Sequence, residues 1–188
     1  MKATRLLVAV LMIACASFTF AQATNAPAPK AQPTVSSVLE RSLSGVEKEF
    51  VDLADAMPEA KYDFVPTNGE FKGVRNFGSQ VKHVAATNYL FSAAILGEKP
   101  PANNDNGPAL KTKAEIMQYL RDSFAYAHKA VATINEQNLV QPISGPFGGG
   151  KATRLGLSNM LIGHTFDHYG QLVEYLRMNG IIPPASRK

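Results

Sequence analysis

Three observations predict an all-α four-helix bundle for this chain. Four stretches of about 20 or more residues carry apolar side chains at every third or fourth position. Their ends coincide with capping residues, glycine or proline. No stretch competes with them by alternating polar and apolar residues in the period of a strand. Helices of that length, each with one apolar stripe, bury their stripes against one another as a bundle.

The first 23 residues read as a secretory signal. Lys2 and Arg5 make a positive start, and Leu6 to Ala16 form an apolar run shorter than the ~20 residues a membrane span needs. Ala21-Gln22-Ala23 supplies a small-x-small cleavage pattern. The expected location is periplasmic or secreted, with no membrane span after cleavage. The alternative is a lipoprotein anchored at Cys15, where Met12 stands in the place leucine usually fills. Residues 24–35, TNAPAPKAQPTV, read as a flexible tether rich in Pro and Ala. Residues 36–184 remain as the bundle domain.

The first helix is expected at 38–57. Ser37 and Glu40 have capping-box spacing, Leu39, Leu43, Val46, Phe50, Leu53 and Met57 form the stripe, and Pro58 ends it. Residues 61–75 form an irregular connection. The second helix is expected at 77–96, with Asn76 as cap and Gly97 as stop. Its inward residues are Val81, Val84, Phe91 and Ile95. The third is expected at 113–136. Thr112 and Glu115 repeat the capping box, and the stripe runs from Met117 through Leu120, Phe124, Ala127 and Val131 to Ile134. A Gly- and Pro-bearing linker at 137–152 leads to the fourth helix, 154–179, which Gly180 and Pro183-Pro184 terminate. The 13 residues of the loop 98–110 reach roughly 43 Å when extended. A 20-residue helix is about 30 Å long. The loop can therefore cross the bundle, which permits an up-down-down-up order.

Charge and cysteine content exclude several functions. The whole chain carries 19 basic and 15 acidic residues, and cleavage removes two of the basic ones. With no Lys/Arg cluster, nucleic-acid binding has no electrostatic basis. Cleavage also removes the one cysteine. The mature chain then has no thiolate ligand or cysteine nucleophile, and a metal site must use imidazole, carboxylate or water. Glu-x-x-His pairs for a di-iron bundle, C-x-x-C-H for covalent haem and G-x-S-x-G for an α/β-hydrolase are all absent from the sequence. Gly145 to Lys151 matches the start of a phosphate loop, but Ala152 stands where Ser or Thr should hold magnesium and no buried strand precedes it. Those glycines read as a turn.

The chemistry concentrates in His164-Thr-Phe-Asp-His168-Tyr-Gly-Gln-Leu. His164 and His168 are one helical turn apart and fall inside the stripe Leu157, Leu161, Leu172, Tyr175. Paired imidazoles facing a core are costly unless something binds them, and a divalent ion is the simplest partner. A third ligand must come from another helix. His83 on the second helix is the best candidate, mid-helix among mostly apolar neighbours; His128 on the third, between Phe124 and Val131, is the competitor, and spacing alone does not choose between them.

HTFDHYGQLVEYLRMNGIIPP resembles the last-helix signature of the DinB-like family, in which two histidines four apart precede Gly-Gln-Leu. VKHVAATNYLFSAAILG resembles that family's second helix, and AKYDFVPTNGEFKGVRNFG the stretch leading into it. The likeness covers about residues 36–184. It implies a four-helix bundle with a divalent metal held by His83, His164 and His168, and a structural role for His128. Zinc or nickel suits three imidazoles best, with iron or copper as alternatives. Family members often form homodimers. They include bacillithiol S-transferases and mycothiol-dependent isomerases, so the resemblance implies a small-molecule substrate and a thiol cosubstrate. The function expected is metal-dependent thiol S-transfer or hydrolysis. A non-enzymatic metal-binding stress or envelope protein is the alternative, distinguished by metal with no exchangeable water. Around the triad, Asp167 and Gln171 are expected on the solvated side and in packing or a dimer contact, rather than orienting the imidazoles. Tyr169 and Gly170 either shape a substrate pocket or, at Gly170, permit close helix approach. The Thr87 hydroxyl is expected to bond its own helix backbone rather than act near the ion.

Overall fold

The computed structural model describes residues 32–101, 106–147 and 150–188. The expected signal at 1–23, Cys15, most of the tether and the middle of the glycine-rich turn lie outside the described residues.

Among the described residues four α-helices form, α1 (Val35–Ala56), α2 (Phe77–Leu96), α3 (Lys113–Val131) and α4 (Arg154–Met178). The stripes read from the sequence are the core. Leu43, Val46, Phe50, Leu53, Val81, Val84, Leu120, Phe124, Ala127 and Leu172 are all fully buried. α2 packs on α3 and α4, and α1 packs on the same two helices. Among the described residues, no helix is long and apolar enough to cross a membrane.

Interhelix contacts fix the direction of each helix. Lys113, at the start of α3, donates to the Met57 carbonyl at 3.1 Å and pairs with Asp55 at 3.3 Å, both at the end of α1. That cation also stabilises the negative end of α1. Gly78, in the first turn of α2, donates to the Tyr62 carbonyl at 2.8 Å just beyond α1. A methyl group at Gly78 would come within 3.0 Å of the Tyr62 ring, so glycine permits this close approach. Tyr175, near the end of α4, donates to the Arg75 carbonyl beside the start of α2. The end of α1, the starts of α2 and α3 and the end of α4 thus meet at one pole. The order is up-down-down-up.

Helix ends follow local chemistry. Asn76 caps α2 by accepting from Ser79 N–H at 2.7 Å, and Thr153 caps α4 by accepting from Gly156 N–H at 3.1 Å. Gly180 takes φ +71°, and Ile181 N–H reaches back to the Leu176 carbonyl at 3.0 Å, closing α4 in a Schellman turn.

Three expectations need correction. α1 begins at Val35, three residues before the expected 38. The capping box uses Thr34 and Ser37, each side chain accepting from the other's N–H at 3.1 and 2.9 Å. α3 ends at Val131, not 136. There Asn135 Oδ1 accepts from the Gln137 and Asn138 N–H groups, and the Asn138 side chain donates to the Thr133 carbonyl. These side chains capture the backbone groups a continuing helix would use. The linker 137–152 contains a short antiparallel hairpin, β1 (Pro142–Ser144) and β2 (Lys151–Thr153), with Ile143 opposite Ala152.

Candidate metal centre

His83 stands on α2, two turns past its N-cap. His164 and His168 stand on α4, where the stripe aims them at α2. His164 Nε2 lies 3.1 Å from His83 Nε2 and 3.1 Å from His168 Nε2. The ring centroids are 4.5 to 5.0 Å apart, all edge to face. These are the described residues whose ligand atoms cluster closely enough to hold an ion. An ion bound tetrahedrally at ~2.0–2.1 Å from each nitrogen would set the nitrogens roughly 3.3 Å apart.

The electrostatics suit a cation. His168 is buried and His164 half-buried. Burial pushes His164 down to about 3, with the neighbouring His168 and His83 adding to the shift. Burial likewise pushes His168 down to about 4, with His83 and Arg75 adding to the shift and Asp167 opposing it. Both rings are therefore neutral near pH 7, the state in which imidazole nitrogen binds metal. Nδ1 of His164 and of His168 has no hydrogen-bond partner among the described residues. Ring orientation then comes from helix packing and from the edge contact of Phe91 on His164, at 6.2 Å between centroids.

His128 lies elsewhere. Its Nδ1 and Nε2 meet Glu40 and Glu47 of α1 at 2.5 and 2.7 Å, so it ties α3 to α1. Asp167 is exposed, and its carboxylate accepts from Gln171 at 2.9 Å. Gln171 in turn accepts from Gln80 at 3.2 Å. Neither Asp167 nor Gln171 bonds a triad nitrogen. The Thr87 hydroxyl donates to the His83 carbonyl at 2.9 Å, bonding its own helix as expected. Gly170 is exposed and a methyl group there would meet nothing within 4 Å, so close helix approach does not explain it.

A cavity of about 420 Å³ opens beside His168. Phe71, Val74, Arg75 and Gln80 line it from the connection and α2, and Tyr175 and Met178 line it from α4. Tyr169 and Gly170 do not. Sequence reasoning missed Arg75 and Gln80. Gln80 carried a signal, because it sits one turn before His83 among inward residues and is buried. Arg75 carried none, because it belongs to an irregular connection.

The sequence model of the DinB superfamily matches residues 42–172. Solved structures that share the fold at low identity include the following three. A DinB-like protein from Bacillus subtilis has a TM-score of 0.61 and 20% identity, covering 76% of this chain and 92% of that one. A DinB-like protein from Bacillus cereus has a TM-score of 0.66 and 14% identity, covering 80% and 96%. A conserved protein from Enterococcus faecalis has a TM-score of 0.57 and 17% identity, covering 76% and 95%. No curated protein matches the chain.

Proposed function

The chain belongs to the DinB superfamily, and from that premise we propose that it is an exported, divalent-metal-dependent protein that transfers a thiol to, or hydrolyses, a small molecule. His83, His164 and His168 are the ligands in this reading. The observation that carries it is the cavity beside the triad, which His168 lines. Three protein ligands leave coordination positions open, the arrangement of catalytic rather than structural sites. A bound divalent ion supplies Lewis acidity that lowers the pKa of water or of a thiol.

The chain's own contribution is to hold three imidazoles together, to keep His164 and His168 unprotonated, and to offer apolar walls that limit water. A mature chain cleaved after Ala23 has no thiol, so the sulfur nucleophile comes from a cosubstrate. Its sulfur bonds to an electrophilic carbon as the carbon–oxygen bond of an epoxide or a carbon–halogen bond breaks. Zinc or nickel is the preferred ion. Export rests on residues 1–23, and a homodimer on the family resemblance. Steady-state assays of zinc- and nickel-loaded protein with thiols and epoxide or halide electrophiles test the chemistry. Turnover above that of His168→Ala is expected. Equal rates in the two proteins would refute both the transfer and the hydrolysis.

A further inference from the structure

A second cavity, of about 520 Å³, lies between the last turns of α2 and the hairpin. Leu90 and Ala94 line it from α2, and Ile143 and Pro146 from the hairpin and its turn. No histidine of the triad lines it. Ala94 is eleven residues past His83, about 16 Å along α2, and Arg154 is ten residues before His164, about 15 Å along α4. The cavity is therefore remote from the candidate metal centre. Its volume lies in the range of small-ligand sites.

The hairpin wall is preformed. Ile143 pairs with Ala152, and Gly145 N–H donates to the Gly150 carbonyl at 2.7 Å. A methyl group at Gly145 would come within 2.8 Å of that oxygen, so glycine is needed to close the turn. Gly145 and Gly150, which match the start of a phosphate loop in the sequence, thus hold a cavity wall. The hairpin also fixes Arg154. Thr153 pairs with Pro142, and Leu155 N–H donates to the Leu139 carbonyl at 3.0 Å, so the backbone is fastened on both sides.

Arg154 is half-buried and is the one Lys or Arg among the described residues lining this cavity. Among those residues its side chain has no hydrogen-bond or ion-pair partner. Glu98, the one carboxylate in the lining, is already engaged, accepting from Tyr126 at 2.5 Å and from Lys129 at 3.0 Å. The hydrogen bonds from Tyr126 and Lys129 hold its carboxyl below the ordinary carboxylate range. Lys129, not Arg154, is its counter-charge. The cavity thus joins apolar walls to a guanidinium whose charge nothing in the fold balances.

We infer that this cavity is a second binding site, in which Arg154 anchors the carboxylate of a small amphipathic monoanion. A guanidinium fork matches the two oxygens of a carboxylate. The apolar body of the ligand lies against Leu90, Ala94 and Ile143. Glu98 in the same lining disfavours a second negative charge. The site stands apart from the metal centre and from the chemistry proposed there.

The probes are cyclohexylacetate and its uncharged amide, cyclohexylacetamide. Each is titrated calorimetrically into the full chain as wild type, Arg154→Gln, Arg154→Lys and Ala94→Leu, metal-free and zinc-loaded. Arg154 opens α4, where a cation opposes the helix dipole, so Arg154→Gln keeps the fold. Wild type is expected to prefer the carboxylate by about tenfold, the worth of one charge-assisted pair in a partly buried site, with and without zinc. Arg154→Gln brings the ratio close to one, and Arg154→Lys keeps part of it. Ala94→Leu fills the cavity and weakens both probes. Methyl NMR shifts at Leu90 and Ile143 locate the bound carboxylate. Equal affinities in wild type, no measurable binding of either probe, a preference that survives Arg154→Gln, or shifts confined to residues around His168 overturns the site. Carboxylate binding seen only in zinc-loaded protein overturns it too and spares the metal reading. A preference dependent on Arg154 in protein that takes up no zinc does the reverse.

Discussion

His164 and His168 make the stability of the metal-free chain depend on pH, because folding disfavours their charged forms. Both are pushed below the ordinary 6.5, to about 3 and about 4, mainly by burial. The unfolded chain therefore binds more protons than the folded one below pH 6.5. Stability of the metal-free protein is constant with respect to these groups above that pH and falls as pH drops toward 4 and 3. Thermal melts of metal-free protein from pH 8 to pH 4 should show the melting temperature declining below about 6.5, and His164→Ala should flatten the decline. A wild-type melting temperature that rises on acidification would contradict the sign. His128 behaves as a tie between helices. His128→Ala strands Glu40 and Glu47, whose contacts are partly exposed, and should cost about 1 kcal/mol. A melting temperature lowered by roughly 2–4 °C with unchanged metal content is expected. At this scale the paired histidines were legible from their spacing. Spacing did not choose between His83 and His128, because both sit at helical positions among apolar neighbours; the family resemblance pointed to His83, and packing puts His83 beside His164 and His128 beside Glu40 and Glu47.

Each helix was legible where its boundary is written in one or two adjacent residues. Asn76 and Gly97 bound α2 as expected, because a side-chain cap at one end and φ +73° at the other admit few substitutes. α1 starts one turn early because Thr34 with Ser37 forms a capping box as good as the Ser37 and Glu40 pattern. Thr34→Ala should therefore cost about 1 kcal/mol, read by chemical denaturation. An unchanged midpoint would place the cap elsewhere. Gly180→Ala should cost a similar amount, on the order of 1 kcal/mol, because φ is +71° while a methyl group there meets no neighbour within 4 Å. The early end of α3 escaped notice because Ile134 keeps the apolar period and is buried, although Asn135 has already diverted the backbone. The hairpin escaped because three residues are too few to display a period of two.

The bundle as a whole was legible because four stripes must cover one another, and the loop 98–110 was long enough to set α2 and α3 parallel. The cavity was not legible. It joins an irregular connection, the first turns of α2 and the last turns of α4, segments that only the folded topology brings to one pole. The same topology lets α2 and α4 close their imidazoles on a single point. Removing one of three ligands should weaken binding by on the order of 100-fold, about 3 kcal/mol of the ~10 kcal/mol a tight zinc site supplies. Elemental analysis of gently purified protein, beside His83→Ala, His128→Ala, His164→Ala and His168→Ala, tests this most directly. One equivalent of divalent metal per chain is expected in wild type and His128→Ala, with near-complete loss in the other three. Metal retained in His83→Ala and lost in His128→Ala, or wild type that stays empty under excess zinc and nickel, would contradict it.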